Sequence, residues 1–196
     1  MGSGILPVSI FHNKLYFLLG KENKYCDSQG FSDFGGGTDG SESFIETALR
    51  EGTEELTGFL GSKEELKSKM NKGTYDFLFD GKYKMFLLPI EYDDKLPFYY
   101  NNNQLFLQKN LDPNIIKTTK IFEKSEIKWI CIDDFLKMRP QYRKHFKKNA
   151  IIIWKDREKI YAFAKKILKT DKTKIDKTKT TRRNRRSKNK TFKRIQ

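Results

Sequence analysis

Cysteine and histidine are scarce in this chain, at two residues each among 196. Cys26 and Cys131 are too few for a disulfide framework and form no metal-type cluster. His12 and His145 lack the partner pattern of a catalytic or ligating pair and read as turn and surface residues. No run of about eighteen apolar residues occurs, which excludes a membrane-spanning helix. The opening stretch, MGSGILPVSIFHNKLYFLLG, has neither a basic n-region nor a small-residue cleavage site, and its alternation suits a strand better than a secretory signal. These absences describe a soluble protein of a reducing compartment, expected in the cytoplasm.

Charge is plentiful and unevenly placed. The chain carries 40 Lys+Arg against 25 Asp+Glu, a net of +15. Residues 165–196 hold 15 of those cations and two acids, a net of +13, so residues 1–164 are left with 25 − 23 = +2. Beyond Leu168 the only aliphatic or aromatic residues are Ile175, Phe192 and Ile195. Such a segment buries too little apolar surface to offset its ordering entropy, so a disordered polycationic tail is expected over 169–196, behind one domain over 1–168. Arg182, Arg183, Arg185, Arg186, Lys188 and Lys190 form its densest stretch, a composition suited to following a nucleic-acid phosphate backbone or to serving as a nuclear address.

Within the body, Ile5–Phe11 and Leu15–Leu19 read as a hairpin turning at His12-Asn13-Lys14. A polar loop follows over Gly20–Gln29, then a short strand Phe31–Phe34 running into Gly35-Gly36-Gly37. Ile45, Ala48, Leu49 and Leu56 recur at helical spacing, with Gly52 on the same face, so a helix is predicted over Ser43–Leu56. A short amphipathic helix over Ser62–Asn71 comes next, then two strands, Thr74–Phe79 and Lys82–Tyr92, across the Asp80-Gly81 turn. Residues Asp93–Pro113, polar and aromatic with three consecutive asparagines, read as a long functional loop with room for a hairpin of its own. Ile127–Ile132 forms a last strand, Asp133-Asp134 cap a helix beginning at Phe135, and a further helix over Ala150–Leu168 closes the body. The order predicts mixed α/β layers.

The chemistry concentrates on the Ser43–Leu56 helix. Glu51, Glu54 and Glu55, at offsets of three and four, share one side, where like charges repel each other by some tenths of a kcal/mol per pair (roughly 0.2–0.5). A hard divalent cation relieves that repulsion, since Mg²⁺ and Mn²⁺ prefer oxygen ligands and bind carboxylates together with substrate phosphates. The glycine run ahead of the helix lets backbone approach a ligand without Cβ obstruction, and a free carbonyl there adds an oxygen. Taken alone, a glutamate-rich helix side is also the ordinary look of a solvated surface.

The wider spacing is far more specific. Gly36, Glu42, Arg50-Glu51 and Glu54-Glu55 stand at the intervals G-x(5)-E-x(7)-R-E-x-x-E-E, whose chance occurrence in a chain of this length is about one in 10⁵ at ~6% usage per position. This resembles the Nudix box, and the flanking strand pattern extends the likeness over most of 4–168. Two departures stand out. Gly52 occupies the apolar position after Arg50-Glu51, and the box glycine comes one place late, at Gly58. Neither removes a carboxylate.

The resemblance implies a Nudix fold, a mixed β-sheet sandwiched between helices, and a divalent-metal-dependent hydrolase of the diphosphate bond in nucleoside-diphosphate derivatives. It implies Glu51, Glu54, Glu55 and the Gly35 carbonyl as ligands for Mg²⁺ or Mn²⁺, and Arg50 with Glu42 as a pair locking the glycine loop onto the helix. The general base is a box glutamate such as Glu54, or Glu123 or Glu126 in a segment that looks like the E-x-x-E-I-x-W stretch of many Nudix proteins. Both of the latter equally suit a surface strand. Phe98, Tyr99, Tyr100 and Trp154 have the chemistry to stack on a base, and equally the spacing of core residues. Gly-Ile-Leu-Pro at 4–7, the run 16–22 and Ser32–Gly37 resemble Nudix proteins of large DNA viruses, some of which decap mRNA. With the basic tail, this makes capped RNA the leading expected substrate. Small nucleoside-diphosphate or diphosphoinositol derivatives come next, and a non-catalytic RNA-binding module third.

Overall fold

Two positive backbone angles start the fold. His12 (φ 47°) and Asn13 (φ 60°) form a two-residue turn of the kind that matches the twist of paired strands. The turn folds β1 (Gly2–Phe11) back on β2 (Lys14–Glu22), with Phe11 opposite Lys14 and Val8 opposite Phe17. Below that pairing the two strands part. The first half of β1, Gly2 to Ile5, pairs with β4 (Phe34–Gly37), while Gly20 and Lys21 of β2 pair with β3 (Phe31–Ser32). The glycine run is thus inserted where β1 and β2 separate.

The computed structural model describes residues 1–118 and 122–170. It adds α1 (Phe44–Glu55), α2 (Lys63–Met70), β5 (Asp76–Phe79), β6 (Tyr83–Pro89), α3 (Lys95–Asn110), α4 (Pro113–Thr118), β7 (Lys124–Cys131), α5 (Ile132–Phe135), α6 (Phe146–Lys155) and α7 (157–170). One seven-stranded sheet results, ordered β3-β2-β1-β6-β5, with β4 on β1 and β7 on β2. It is mixed, because β6 runs parallel to β1 while the other pairs are antiparallel.

Alternation along the strands feeds two cores. Ile5, Leu18, Phe86 and Leu88 pack with Ala48, Leu49 and Leu56 of α1, Leu66 of α2 and Tyr100 of α3. Leu6, Phe17, Leu19, Met85 and Leu87 face the other way, against Phe135, Phe146, Ile153 and Ile160. Helices therefore cover both sides of the sheet, the layering that the resemblance implies.

Three expectations need correction. Asp93–Pro113 is not a loop with a hairpin but holds the sixteen-residue helix α3. Its buried positions are Tyr100 and Gln104 only, so no apolar stripe marks it. Asn101 docks it instead: its amide donates to the Ile127 carbonyl (3.1 Å) and accepts from the Ile127 N–H (2.7 Å), satisfying the free edge of β7. The closing helix begins at Phe146 and breaks at Asp156, which accepts from the Tyr75 hydroxyl (2.6 Å). Asp133 and Asp134 lie inside the single turn α5, whose N-cap is Cys131, rather than ahead of a helix starting at Phe135. The predicted tail from residue 171 onward, with its six named basic residues, lies outside the described residues.

Candidate active site

The site is built by α1 settling onto the glycine strand. Ser43 caps α1 with a full capping box to Glu46, which fixes where the helix begins. Gly52 lets it lie close to the sheet, because a Cβ there would stand 2.5 Å from Ile5 Cδ1. That approach carries Glu51 and Glu55, 5% and 2% exposed, over β4. The Gly35 N–H donates to Glu55 Oε2 (2.8 Å). A Cβ on Gly36 would lie 2.5 Å from Glu51 Oε1, so only glycine leaves room for that carboxylate.

Glu123, from the segment entering β7, completes the group: oxygens of Glu51, Glu55 and Glu123 all lie within 4.8 Å of one another. Burial pushes the pKa of Glu55 well up, the Lys124 charge opposing, with Glu22, Glu123 and Glu51 adding to the rise. Burial raises Glu51 too, against the pull of Arg50. Three carboxylates forced together, two of them buried, are the donor set that Mg²⁺ or Mn²⁺ fits.

Arg50 fastens the loop to the helix. Its Nε donates to Glu42 Oε1 (3.0 Å), Nη2 to Glu42 Oε2 (3.0 Å) and to the Gly37 carbonyl (2.9 Å), and Nη1 to Glu51 Oε1 (2.7 Å). Bonding to Arg50 holds the Glu42 pKa down to about 2. Glu54 is exposed and not one of the three grouped within 4.8 Å, but it shares Arg50 Nη1 (3.4 Å) with Glu51. Glu126 is likewise elsewhere, on the β2–β7 ladder at 3.8 Å from Lys21. Gly58 adopts φ 74° in the turn after α1, where a Cβ would meet nothing within 4 Å. Tyr100 is fully buried, its hydroxyl donating to the Glu55 carbonyl (2.7 Å), and Phe98 and Tyr99 are exposed on α3. Trp154 lies under the Arg157 guanidinium (4.2 Å) beside a different cavity, and His12 stacks on Phe11 in the hairpin turn.

Four charged residues not singled out in the sequence complete the site: Lys124, Glu22, Arg143 and Asp33. Lys124 is fully buried, with its ammonium on Glu22, 3.3 Å from Glu55 Oε1 and 3.2 Å from Ser32 Oγ. Burial lowers its pKa, but the charges of Glu55 and Glu22 outweigh that and hold the ammonium above its ordinary value. Arg143 Nη1 reaches the same Glu22 Oε1 (2.7 Å). Behind them Asp33, pushed up to about 6 by burial, accepts from the Tyr83 hydroxyl (2.6 Å). A cavity of about 330 Å³, lined by Glu22, Tyr25, Gly35, Glu55, Glu123 and Arg143, opens onto the cluster.

No family model matches the sequence, and no curated protein matches it. Similar solved structures include the Ap4A hydrolase of C. elegans in a binary complex, at 17% identity over 70% of this chain and 85% of that one, TM-score 0.43. A MutT protein from Methanosarcina mazei Go1 is 16% identical over 81% and 93% of the two chains, TM-score 0.42. The Nudix hydrolase RenU from M. smegmatis is 12% identical over 83% and 86%, TM-score 0.43.

Proposed function

We propose that this protein is a Nudix-type hydrolase that cleaves a diphosphate bond with Mg²⁺ or Mn²⁺, and that its substrate is capped RNA, giving m7GDP and 5′-monophosphate RNA. The convergence of Glu51, Glu55 and Glu123 at the glycine strand carries this reading. Glu51 and Glu55, with the Gly35 carbonyl, would hold the cation. Bound there, it supplies charge neutralisation on a phosphoryl oxygen and a more acidic water. Glu123, half-buried, accepts the proton of the attacking water, since it lines the cavity while Glu54 and Glu126 are not among its lining residues. Arg143, at the cavity wall, faces phosphoryl oxygens with a guanidinium suited to them. Arg50 and Glu42 hold the loop and the Glu51 carboxylate in position.

The basic composition of 171–196 favours RNA over a small nucleotide. The modest cavity favours a second reading, a small dinucleoside polyphosphate or diphosphoinositol phosphate, since about 330 Å³ is near the lower bound of ligand pockets (about 300 Å³). Cap-labelled RNA assayed beside a panel of nucleoside-diphosphate derivatives and diphosphoinositol phosphates separates them. Release of labelled m7GDP that disappears in Glu55→Gln supports decapping; turnover confined to the small-molecule panel overturns it in favour of the second reading.

A further inference from the structure

A second cleft, of about 810 Å³, lies between the β5–β6 turn and the start of α6. It shares Gly35, Gly36 and Arg143 with the carboxylate cavity, so the two run together around the glycine strand. Its charge is one-sided: Lys82, Arg143, Lys144 and Lys148 line it against a single acid, Asp80. Lys82, Lys144 and Lys148 are exposed and make no ion pair with any described residue. Arg143 Nε is buried without a hydrogen-bond partner. Since residues 1–164 carry a net charge of only +2, this is a local concentration of cations and not a general property of the body.

Among the described residues three rings line the cleft, and His145 alone of them is exposed. Phe79 is 6% exposed and packed in the core, and the Tyr83 hydroxyl is engaged by Asp33. Gly37 adds a stretch of wall without side chain, since a Cβ there would meet nothing within 4 Å. A surface of unpaired ammonium groups and bare backbone, with one small imidazole as its single exposed ring, engages phosphates more than bases.

We propose that this cleft seats the phosphodiester backbone of the RNA body as it leaves the carboxylate cluster, independently of sequence, through Lys82, Lys144 and Lys148. This rests on the reading of the cluster as a diphosphate hydrolase. Charge complementarity and continuity with the carboxylate cavity favour a nucleotide chain over an isolated small polyphosphate, which the carboxylate cavity alone would hold.

The test is the full chain carrying Lys82→Gln, Lys144→Gln and Lys148→Gln together, changes at exposed positions that leave the fold intact. Two measurements are made: affinity of the metal-free protein for 5′-monophosphate RNA across salt concentrations, and kinetics on capped RNA and on a cap dinucleotide. The expected result is RNA binding weakened by about tenfold, with the slope of log K against log salt flattened by about 2, near 0.7 for each phosphate no longer neutralised. KM rises for capped RNA, and the cap dinucleotide is turned over with little change. Unaltered RNA affinity and salt slope would overturn the proposal. So would an equal loss on the dinucleotide, which would make the cleft a seat for the cap phosphates themselves. A wild-type protein that binds RNA through these lysines but hydrolyses neither substrate would sink the capped-RNA reading of the cluster, while the binding arm would still decide the cleft.

Discussion

Lys124 is the residue on which the site's electrostatics turn. Its ammonium stands between Glu22 and Glu55, so the body keeps a permanent cation among its buried carboxylates. Lys124→Met keeps the bulk of the side chain and removes the charge, leaving Glu55 without its cationic partner and Glu22 with Arg143 alone. Loss of one partner of a buried ion pair costs about 3–5 kcal/mol, so the unfolding free energy measured in denaturant should fall by that order. Added Mg²⁺ should raise the melting temperature of this variant more than that of the wild type. Glu55→Gln acts differently. It removes one of three crowded carboxylates and leaves Lys124 its Glu22 partner, so stability should hold while turnover at saturating Mg²⁺ or Mn²⁺ falls by orders of magnitude. Near wild-type rates in both Glu51→Gln and Glu55→Gln would remove the basis for the proposed chemistry. The Glu42–Arg50 pair carries a pH signature. A carboxylate whose folded pKa is depressed to about 2 from 4.5 stabilises the fold above pH 4.5, and that contribution is lost as the pH falls towards 2. The stability difference between wild type and Glu42→Gln should therefore be constant from pH 7 to about 5 and shrink steadily below it, measured by urea unfolding at each pH.

At the scale of elements, the seat of α1 on β1 is set by Gly52. An alanine would gain helix propensity of about 1 kcal/mol, yet its Cβ would come within 2.5 Å of Cδ1 and 2.9 Å of Cγ1 of Ile5, which is fully buried and cannot swing aside. Overpacking of this kind costs about 1–3 kcal/mol, so Gly52→Ala should be net destabilising. Ile5→Val, which removes the nearest atom, should recover most of the loss in the double variant; additive losses in thermal unfolding would refute the close-packing account. This contact also explains why a glycine stands at the position after Arg50-Glu51 where the box has an apolar residue. What was legible there follows from period and capping: Ser43 and Ser62 are N-caps of α1 and α2, and Asp80-Gly81, both with positive φ, turn β5 into β6. What was not legible had no periodic signal. α3 is held by asparagine-to-strand hydrogen bonds, with Leu105 and Phe106 outside. Lys124 and Glu22 were hidden because a bulge between Lys21 and Glu22 shifts the β2–β7 register there. Such a shift breaks the alternation by which an inward-facing charge could have been noticed.

Across the whole molecule, cationic charge is arranged in two places at different distances from the chemistry. Lys82, Lys144 and Lys148 line the cleft beside the glycine strand, while residues 171–196 add twelve Lys+Arg against two acids. The carboxylates, the glycine strand and Arg50 all lie before residue 171. Electrostatic capture of RNA and hydrolysis are therefore separable along the chain. Deleting 171–196 should weaken binding to RNA and flatten its salt dependence by about 0.7 for each phosphate the segment neutralises. KM for capped RNA should rise, and the rate on a cap dinucleotide, too short to extend beyond the carboxylate cavity, should stay as it was. Combined with the three lysine changes in the cleft, the deletion should have an additive effect on log K, because the cleft and the terminal segment would contact separate phosphates of one strand. An equal loss on dinucleotide and RNA would mean that 171–196 supports the fold. No loss on either would assign those residues to something other than substrate capture, such as a nuclear address, and would move the balance towards the small-molecule substrate.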